Sequence, residues 1–142
     1  MYVVDTCVFN WLLDGRIAVS DLPQGGDYIS THVQADELGR TPCEARRLEL
    51  QAVFRTVVNR DVATESVVLG VSRVGRCKLS DGELYESLRA ALNQRNNSKQ
   101  NNSEDALIAE VAIVNGWTLL TADRDLAGVV EEHSGRAVLF GA

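Results

Sequence analysis

The stretch that decides the fold is residues 1–13, MYVVDTCVFNWLL. Residues 2–4 are typical of a short buried strand, and residues 6–13 predict a helix that ends near Asp14 and Gly15. Asp5 therefore stands where a strand passes directly into a helix. A carboxylate in this position needs a partner, because an unpaired charge is costly to bury.

The alternation of strands and helices continues along the whole chain. Further strands are predicted at residues 28–30, 61–72 (best at 67–71), 117–120 and 137–140. Capping boxes open helices at Thr31 with Gln34, at Thr41 with Glu44 and at Ser80 with Glu83. Two later helices follow Ser103 and Arg124, and Gly116 is a typical helix stop. This order predicts one α/β domain over residues 1–142, with three α/β/α layers and a mainly parallel central sheet.

Composition narrows the class of protein. The chain has 142 residues, of which 45% are hydrophobic, and a net charge of −6. No apolar run is long enough to cross a membrane, and residues 1–13 lack the basic start of a signal peptide, so we expect a cytoplasmic protein. The three cysteines, Cys7, Cys43 and Cys77, form no C-x-x-C pair. We interpret them as small buried hydrophobic residues.

Four acidic residues are placed alike relative to the predicted sheet. Asp5 ends the first strand, Glu37 lies on the helix after the second strand, Asp105 lies in the first turn of a helix, and Asp123 follows a late strand. Ligands of parallel sheets bind at the carboxyl ends of the strands. Three or four carboxylates in one pocket would repel one another, and a divalent cation would relieve that repulsion. An all-oxygen site without histidine or cysteine suits Mg²⁺ or Mn²⁺.

Each acid also has a purely structural interpretation. Asp105 in a first helical turn complements the helix dipole, and Asp123 is a candidate helix cap. Glu37 is a candidate surface residue beside Asp36. Taken singly, only Asp5 resists this interpretation; the case for a site rests on the four acids together.

The chain resembles the PIN-domain nucleases, in particular the VapC-type toxins of toxin–antitoxin pairs. The segments that carry the resemblance are VVDTCVFNWLL, ISTHVQADELGRT, SEDALIAEVAIVNGWTLLTADRDL and the closing VLF. They cover the start and the last third of the chain, and residues 41–100 match only loosely. Position 7 departs from the pattern, because Cys7 stands where these proteins often carry asparagine.

The resemblance implies a metal-dependent endoribonuclease that uses Mg²⁺ or Mn²⁺ and that is the toxin of a type II pair. Its catalytic acids would be Asp5, Glu37, Asp105 and Asp123, with Asp5, Asp105 and Asp123 holding the metal. Auxiliary positions would be Thr6, Thr121 and Asp125. The expected partners are an RNA substrate, an antitoxin protein and a second copy of the chain in a homodimer, with no membrane.

Residues that bind RNA are harder to find by sequence. Twelve of the fourteen basic residues are arginines, whose planar fork suits phosphate. The candidates for phosphate contacts are Arg40, Arg46, Arg47, Arg95, Lys99 and Arg124, although solvated surface is the commoner role of such residues. The polar segment 96–103, NNSKQNNS, is either an RNA-ordered loop or a mobile one.

Two other functions compete with the nuclease. A non-catalytic RNA- or protein-binding module could share this fold, although the complete set of four acids argues against it. A phosphoacceptor signalling domain would need a lysine after a late strand, and neither Lys78 nor Lys99 is placed there.

Overall fold

The central sheet has five parallel strands. The structure, a computed structural model, describes residues 1–68, 71 and 82–141. In these residues the strand order is β3-β2-β1-β4-β5. The strands are β1 (Tyr2–Val4), β2 (Tyr28–Ser30), β3 (Arg60–Asp61), β4 (Thr118–Thr121) and β5 (Arg136–Leu139). Because every pair is parallel, all the strands end at the same edge, and the central strand β1 ends immediately before Asp5.

Helices cover both faces of this sheet. They are α1 (Thr6–Leu13), α2 (His32–Gly39), α3 (Glu44–Val57), α4 (Glu83–Asn96), α5 (Asn102–Asn115) and α6 (Arg124–Glu132). Successive residues of β1 point to opposite faces. Val3 belongs to a core with residues of α4, α5 and α6, and Val4 belongs to a core with residues of α1, α2 and α3. The predicted three-layer α/β/α architecture is confirmed.

Several helix ends form as their local sequence predicts. The side chain of Asp5 caps α1 by accepting a hydrogen bond from the backbone amide of Thr6. At the start of α2, Thr31 Oγ1 accepts from Val33 N and the Gln34 side chain accepts from Thr31 N. Gly116 ends α5 with a φ of +69°, a left-handed conformation that glycine adopts without strain.

Two predicted helix starts are wrong. Helix α3 begins at Glu44 behind Cys43, without a side-chain cap, rather than at Thr41. The amide of Thr41 instead donates to Leu38 O, so this threonine belongs to the end of α2. Ser103 lies inside α5, which begins one residue earlier behind Asn101.

The third strand lies earlier than the sequence pattern predicts. The structure pairs Arg60–Asp61 with β2, whereas Val67 and Val68 lie outside any strand. Val67 is 49% exposed, so its β-branched side chain is not held in the sheet. Leu69, Gly70 and the capping box at Ser80 lie outside the described residues, and Gly82 stands before α4.

The cysteines do not behave alike. Cys43 is exposed, so its prediction as a buried hydrophobic residue is wrong; it lies in the turn that joins α2 to α3. Cys7 is half-buried and makes polar contacts described below. Cys77 lies outside the described residues. Among the described residues, no helix has the length and hydropathy needed to cross a membrane.

The two cores allow a matched test of which helical face is buried. Leu88 of α4 is fully buried and Leu48 of α3 is 57% exposed. Leu88→Ala should lower the free energy of unfolding by about 2–5 kcal/mol, because it leaves a cavity. Leu48→Ala should change it by less than about 0.5 kcal/mol. Urea denaturation measures both, and equal losses would contradict this assignment of the layers.

Candidate functional site

The carboxylate of Asp5 is held at the end of the central strand by three donors. Its Oδ1 accepts from Thr6 N at 2.8 Å. Its Oδ2 accepts from Thr121 Oγ1 at 2.7 Å and from Cys7 Sγ at 3.0 Å. Asp5 is only 3% exposed, so these bonds replace the water that the carboxylate loses on burial.

Thr121 connects Asp5 to Asp123 across the sheet edge. Its hydroxyl donates to Asp5 and accepts from the backbone amide of Asp123 at 2.9 Å. The Oδ1 atom of Asp123 caps α6 by accepting from the amides of Asp125 and Leu126. Its Oδ2 atom lies 3.6 Å from Lys99 Nζ. Asp123 therefore has both of its predicted roles: Oδ1 caps the helix, and Oδ2 faces Lys99 at the candidate site.

The other two acids come from helices on opposite faces of the sheet. Glu37 lies on α2 and accepts a hydrogen bond from Thr6 Oγ1 at 3.0 Å. Asp105 lies in the first turn of α5 and is only 4% exposed. None of the described residues donates a hydrogen bond to the carboxylate of Asp105, which its neighbours influence through charge alone.

All four acids line one cavity of about 220 Å³ at the carboxyl edge of the sheet. This is the position that the sequence predicts for them. The residues that line the cavity are Asp5, Thr6, Cys7, Asn10, Glu37, Lys99, Asn101, Asp105 and Asp123. The structure thus brings together acids that are far apart in the chain, the largest separation being the 118 positions between Asp5 and Asp123.

Burial and mutual repulsion make Asp5, Glu37 and Asp105 hard to ionise. Burial, together with the charges of Asp5, Glu37 and Asp123, raises the pKa of Asp105 to about 9, and Lys99 acts in the opposite direction. Burial and the charge of Asp5 raise the pKa of Glu37 to about 7. Burial raises the pKa of Asp5 as well, against the opposite effect of its hydrogen bonds. A positive charge placed among these carboxylates would favour their ionised forms.

The chemistry of these donors fits a hard divalent cation. Every acidic donor is an oxygen, and a cation would relieve both the repulsion and the burial cost that raise the pKa values. Among the described residues, no three acidic, thiol or imidazole side chains stand close enough together to hold a metal ion as they are placed. Mg²⁺ tolerates such an open site, because it keeps several water ligands and needs only one or two carboxylates.

Comparison with known proteins supports the same family. The family model of the PIN domain matches residues 2–132. The chain belongs to the PIN-domain family. This confirms the family that the sequence resembles. No curated protein matches the sequence.

Two solved structures share the fold of this PIN domain. One is VapBC2 from Rickettsia felis, bound to a DNA fragment from its promoter, with a TM-score of 0.60, 15% identity and 97% coverage of each chain. The other is VapBC-5 from Mycobacterium tuberculosis, a member of the VapBC family of toxin–antitoxin systems. It has a TM-score of 0.54, 19% identity and 96% coverage of each chain. At these identities the likeness concerns the fold.

The auxiliary positions of this PIN domain lie close to the acids but differ in role. Thr6 lines the cavity and Thr121 lies behind it, bonded to Asp5. Asp125 is not among the cavity-lining residues, and its described contact is the backbone amide that it donates to Asp123.

The candidate phosphate-binding residues separate into two groups. Lys99 lines the cavity, and Arg40 lines an adjoining groove, where it pairs with Glu104 at 3.4 Å. The others lie outside both linings. Arg95 pairs with Glu132, Arg46 binds Asp14 and Asn10, Arg47 donates to Thr41 O, and Arg124 is exposed at the start of α6.

Sequence reasoning missed three residues of the cavity. Cys7 was interpreted as a hydrophobic residue, but its thiol donates to Asp5 and accepts from Ala122 N at 3.2 Å. Asn10 lies one turn after Thr6 on α1, and this i, i+4 spacing was an available signal. Asn101 lies in a polar loop where no periodic pattern distinguishes it.

The hydroxyl of Thr121 offers a test of the link between Asp5 and Asp123. Thr121→Val removes the hydroxyl at nearly constant volume and should lower the free energy of unfolding by about 1–3 kcal/mol, because a buried carboxylate loses a donor. Thr121→Ser keeps the donor and should lose less. Chemical denaturation compares the two variants. Equal losses would show that packing, rather than the hydroxyl, is what matters.

The raised pKa of Asp105 predicts a pH-dependent stability. The ordinary pKa is 3.8 and the folded value is about 9, so between these values the folded state binds more protons than the unfolded chain. Stability of the metal-free protein should therefore fall as the pH rises through this range. Asp105→Asn removes the effect and should raise the melting temperature at pH 8 by on the order of 5 °C.

The gain from Asp105→Asn should be smaller at pH 5, because this pH lies only just above the ordinary pKa of 3.8, so that ionisation of Asp105 stabilises the unfolded chain less than at pH 8. Thermal unfolding with a chelator at both pH values measures it. The control is Glu131→Gln, which neutralises an exposed acid at the end of α6. An Asp105→Asn gain that is the same at both pH values would contradict the assignment.

Proposed function

We propose that this PIN domain is a metal-dependent endoribonuclease that hydrolyses phosphodiester bonds of RNA. The observation that carries the proposal is the convergence of Asp5, Glu37, Asp105 and Asp123 on one cavity at the strand ends. A cluster whose acids resist ionisation is unfavourable in a merely structural role, because apolar packing there would be more stable. The loss of stability is explained if the cluster binds a cation that acts on a phosphodiester.

In this proposal Asp5, Asp105 and Asp123 hold Mg²⁺ or Mn²⁺. Glu37 completes the site directly or through a water molecule. Bound by these residues, such a cation would supply the chemistry that activates water and stabilises the leaving oxygen of the phosphodiester. The ends expected are a 5′-phosphate and a 3′-hydroxyl, because water, and not the 2′-hydroxyl of the RNA, is the nucleophile.

The residues around the acids keep them in place for this reaction. Thr121 orients Oδ2 of Asp5, and the amide of Thr6 fixes Oδ1, so this carboxylate has one orientation. The hydroxyl of Thr6 holds Glu37 from the other side of the cavity. Hydrogen bonds to metal-holding carboxylates orient them, and losing one typically costs about 10–100-fold in metal affinity or activity.

We further propose that the chain is the toxin of a type II pair, with an antitoxin protein as its partner, and that it forms a homodimer. The support is the shared fold with VapBC2 and VapBC-5, proteins of toxin–antitoxin systems. We also propose a cytoplasmic location, where cellular RNA is available as a substrate.

The nuclease is tested with purified protein and a mixed single-stranded RNA in the presence of Mg²⁺, Mn²⁺ or excess chelator. Metal-dependent cleavage is expected from the parent chain. Asp105→Asn should lower the cleavage rate by more than the roughly 10–100-fold that is typical of losing a hydrogen bond to a metal-holding residue. This variant is preferable to Asp5→Asn, because Asp5 also caps α1 and binds Thr121.

The matched control is Glu131→Gln, which should cleave like the parent. Analysis of the product ends checks that water is the nucleophile, since a 2′,3′-cyclic phosphate would contradict it. If Asp105→Asn cleaves RNA as fast as the parent, or if cleavage persists in excess chelator, the proposal is wrong. RNA binding without cleavage under either metal would favour the non-catalytic binding module.

A further inference from the structure

Lys99 stands where the acidic cavity meets a second, larger opening. Its ammonium group lies 3.6 Å from Asp123 Oδ2, and its side chain remains 52% exposed. The adjoining groove has a volume of about 530 Å³ and is lined by Arg40, Lys99, Gln100, Asn101 and Glu104. Lys99 and Asn101 line both spaces. A ligand that spans the cavity and the groove must therefore pass Lys99.

Three asparagines hold the loop that carries Lys99, and we call Asn93, Asn96 and Asn102 the asparagine latch. Asn96 and Asn102 form a reciprocal pair of side-chain hydrogen bonds, each 2.9 Å long. Asn102 Nδ2 also donates to Asn93 Oδ1 at 2.7 Å. The latch thus joins the last turn of α4 to the first turn of α5.

The latch binds the backbone of Lys99 from both sides. The amide of Lys99 donates to Asn96 Oδ1 at 3.2 Å. The carbonyl of Lys99 accepts from the backbone amide of Asn102 at 3.2 Å. Asn102 is only 2% exposed, so its side chain is a buried anchor for the exposed loop.

The loop keeps a conformation that its own backbone disfavours. Asn97 and Ser98 have φ values of +57° and +59°, in the left-handed region. Left-handed residues other than glycine are uncommon and persist where the surroundings over-determine them. The hydrogen bonds of the latch provide that constraint, and the residue that the bend delivers to the cavity is Lys99.

We propose that the asparagine latch is a positioning device that holds Lys99 at the junction of the cavity and the groove, where its ammonium group binds a backbone phosphate next to the bond to be cleaved. The identity of the ligand as RNA rests on the proposed function. Lys99 suits this role because an RNA strand entering the cavity meets four carboxylates, and a cation at the entrance offsets their repulsion. The latch residues act through Lys99 and touch no RNA themselves.

The test is a double-mutant cycle on RNA binding. A fluorescein-labelled single-stranded RNA of mixed sequence is titrated with the Asp105→Asn protein, in which cleavage is disabled. Lys99→Ala in this background should weaken binding roughly tenfold, the loss of one charge-assisted hydrogen bond. It should also reduce the slope of log K against log salt by about 0.7, the value for one phosphate contact on a single strand. Lys99→Arg should restore most of the affinity.

The latch is probed by Asn96→Ala, which removes the acceptor of the Lys99 amide. Asn96→Ala should weaken binding about as much as Lys99→Ala, and the double variant should be no weaker than Lys99→Ala alone, because both act on one contact. The control is Gln94→Ala, an exposed change on the same helix that should leave binding unchanged. Asn102→Ala gives a second probe, and thermal unfolding confirms that each variant is folded.

Two results would overturn the inference: unchanged binding in Lys99→Ala, or additive losses from Lys99→Ala and Asn96→Ala. Additivity would mean that the asparagines stabilise the loop without acting through Lys99. Cleavage by the parent chain is measured separately, so the two proposals fail independently. Non-additive losses of binding from Lys99→Ala and Asn96→Ala, in a chain that cleaves no RNA, would contradict the nuclease proposal. The role of Lys99 in binding RNA would still be supported.

Discussion

The structure is organised around a buried carboxylate at the end of its central strand. Asp5 ends β1, caps α1 through Thr6 N and binds Thr121 at the end of β4. Its backbone amide also donates to Leu120 O, which continues the pairing of β1 with β4. One residue thus connects the sheet, the first helix and the site. The negative charge of Asp5 in turn limits what can stand around it, since every further acid at this edge must be buried beside it.

Two of the other acids bear that cost. Glu37 and Asp105 have raised pKa values because they are buried close to Asp5. The protein lowers the cost locally with hydroxyl and amide donors, and with Lys99 at the rim, but these do not neutralise four carboxylates. A site that is unfavourable until a cation enters is an expected consequence of function, since natural proteins give up stability at their working residues. The loop held by the asparagine latch is a second example of stability given up at a working residue. Asn97 and Ser98 adopt left-handed conformations there, and the loop places the ammonium group of Lys99.

Sequence patterns predicted the structure correctly where neighbouring residues alone determine the local conformation. Apolar strands followed by helical stripes predicted the layers, and a glycine stop predicted the end of α5. Patterns failed where the tertiary context decided. The third strand is only Arg60–Asp61 at the edge of the sheet, and two exposed polar residues carry no periodic signal. Thr41 has the composition of a helix cap, yet its amide is already bonded to the end of α2.

The sequence by itself determined the order of strands and helices and the position of four acids at strand exits, because alternation and helix capping are local properties. The tertiary structure alone decided which polar groups meet. The hydrogen bond from Thr121 to Asp5 spans 116 positions, and that from Thr6 to Glu37 spans 31. The thiol of Cys7 on Asp5 and the ammonium of Lys99 near Asp123 belong to the same class of contact. Such contacts form or fail with shifts of roughly a few tenths of an ångström in the placement of packed elements, which no local pattern of residue types encodes.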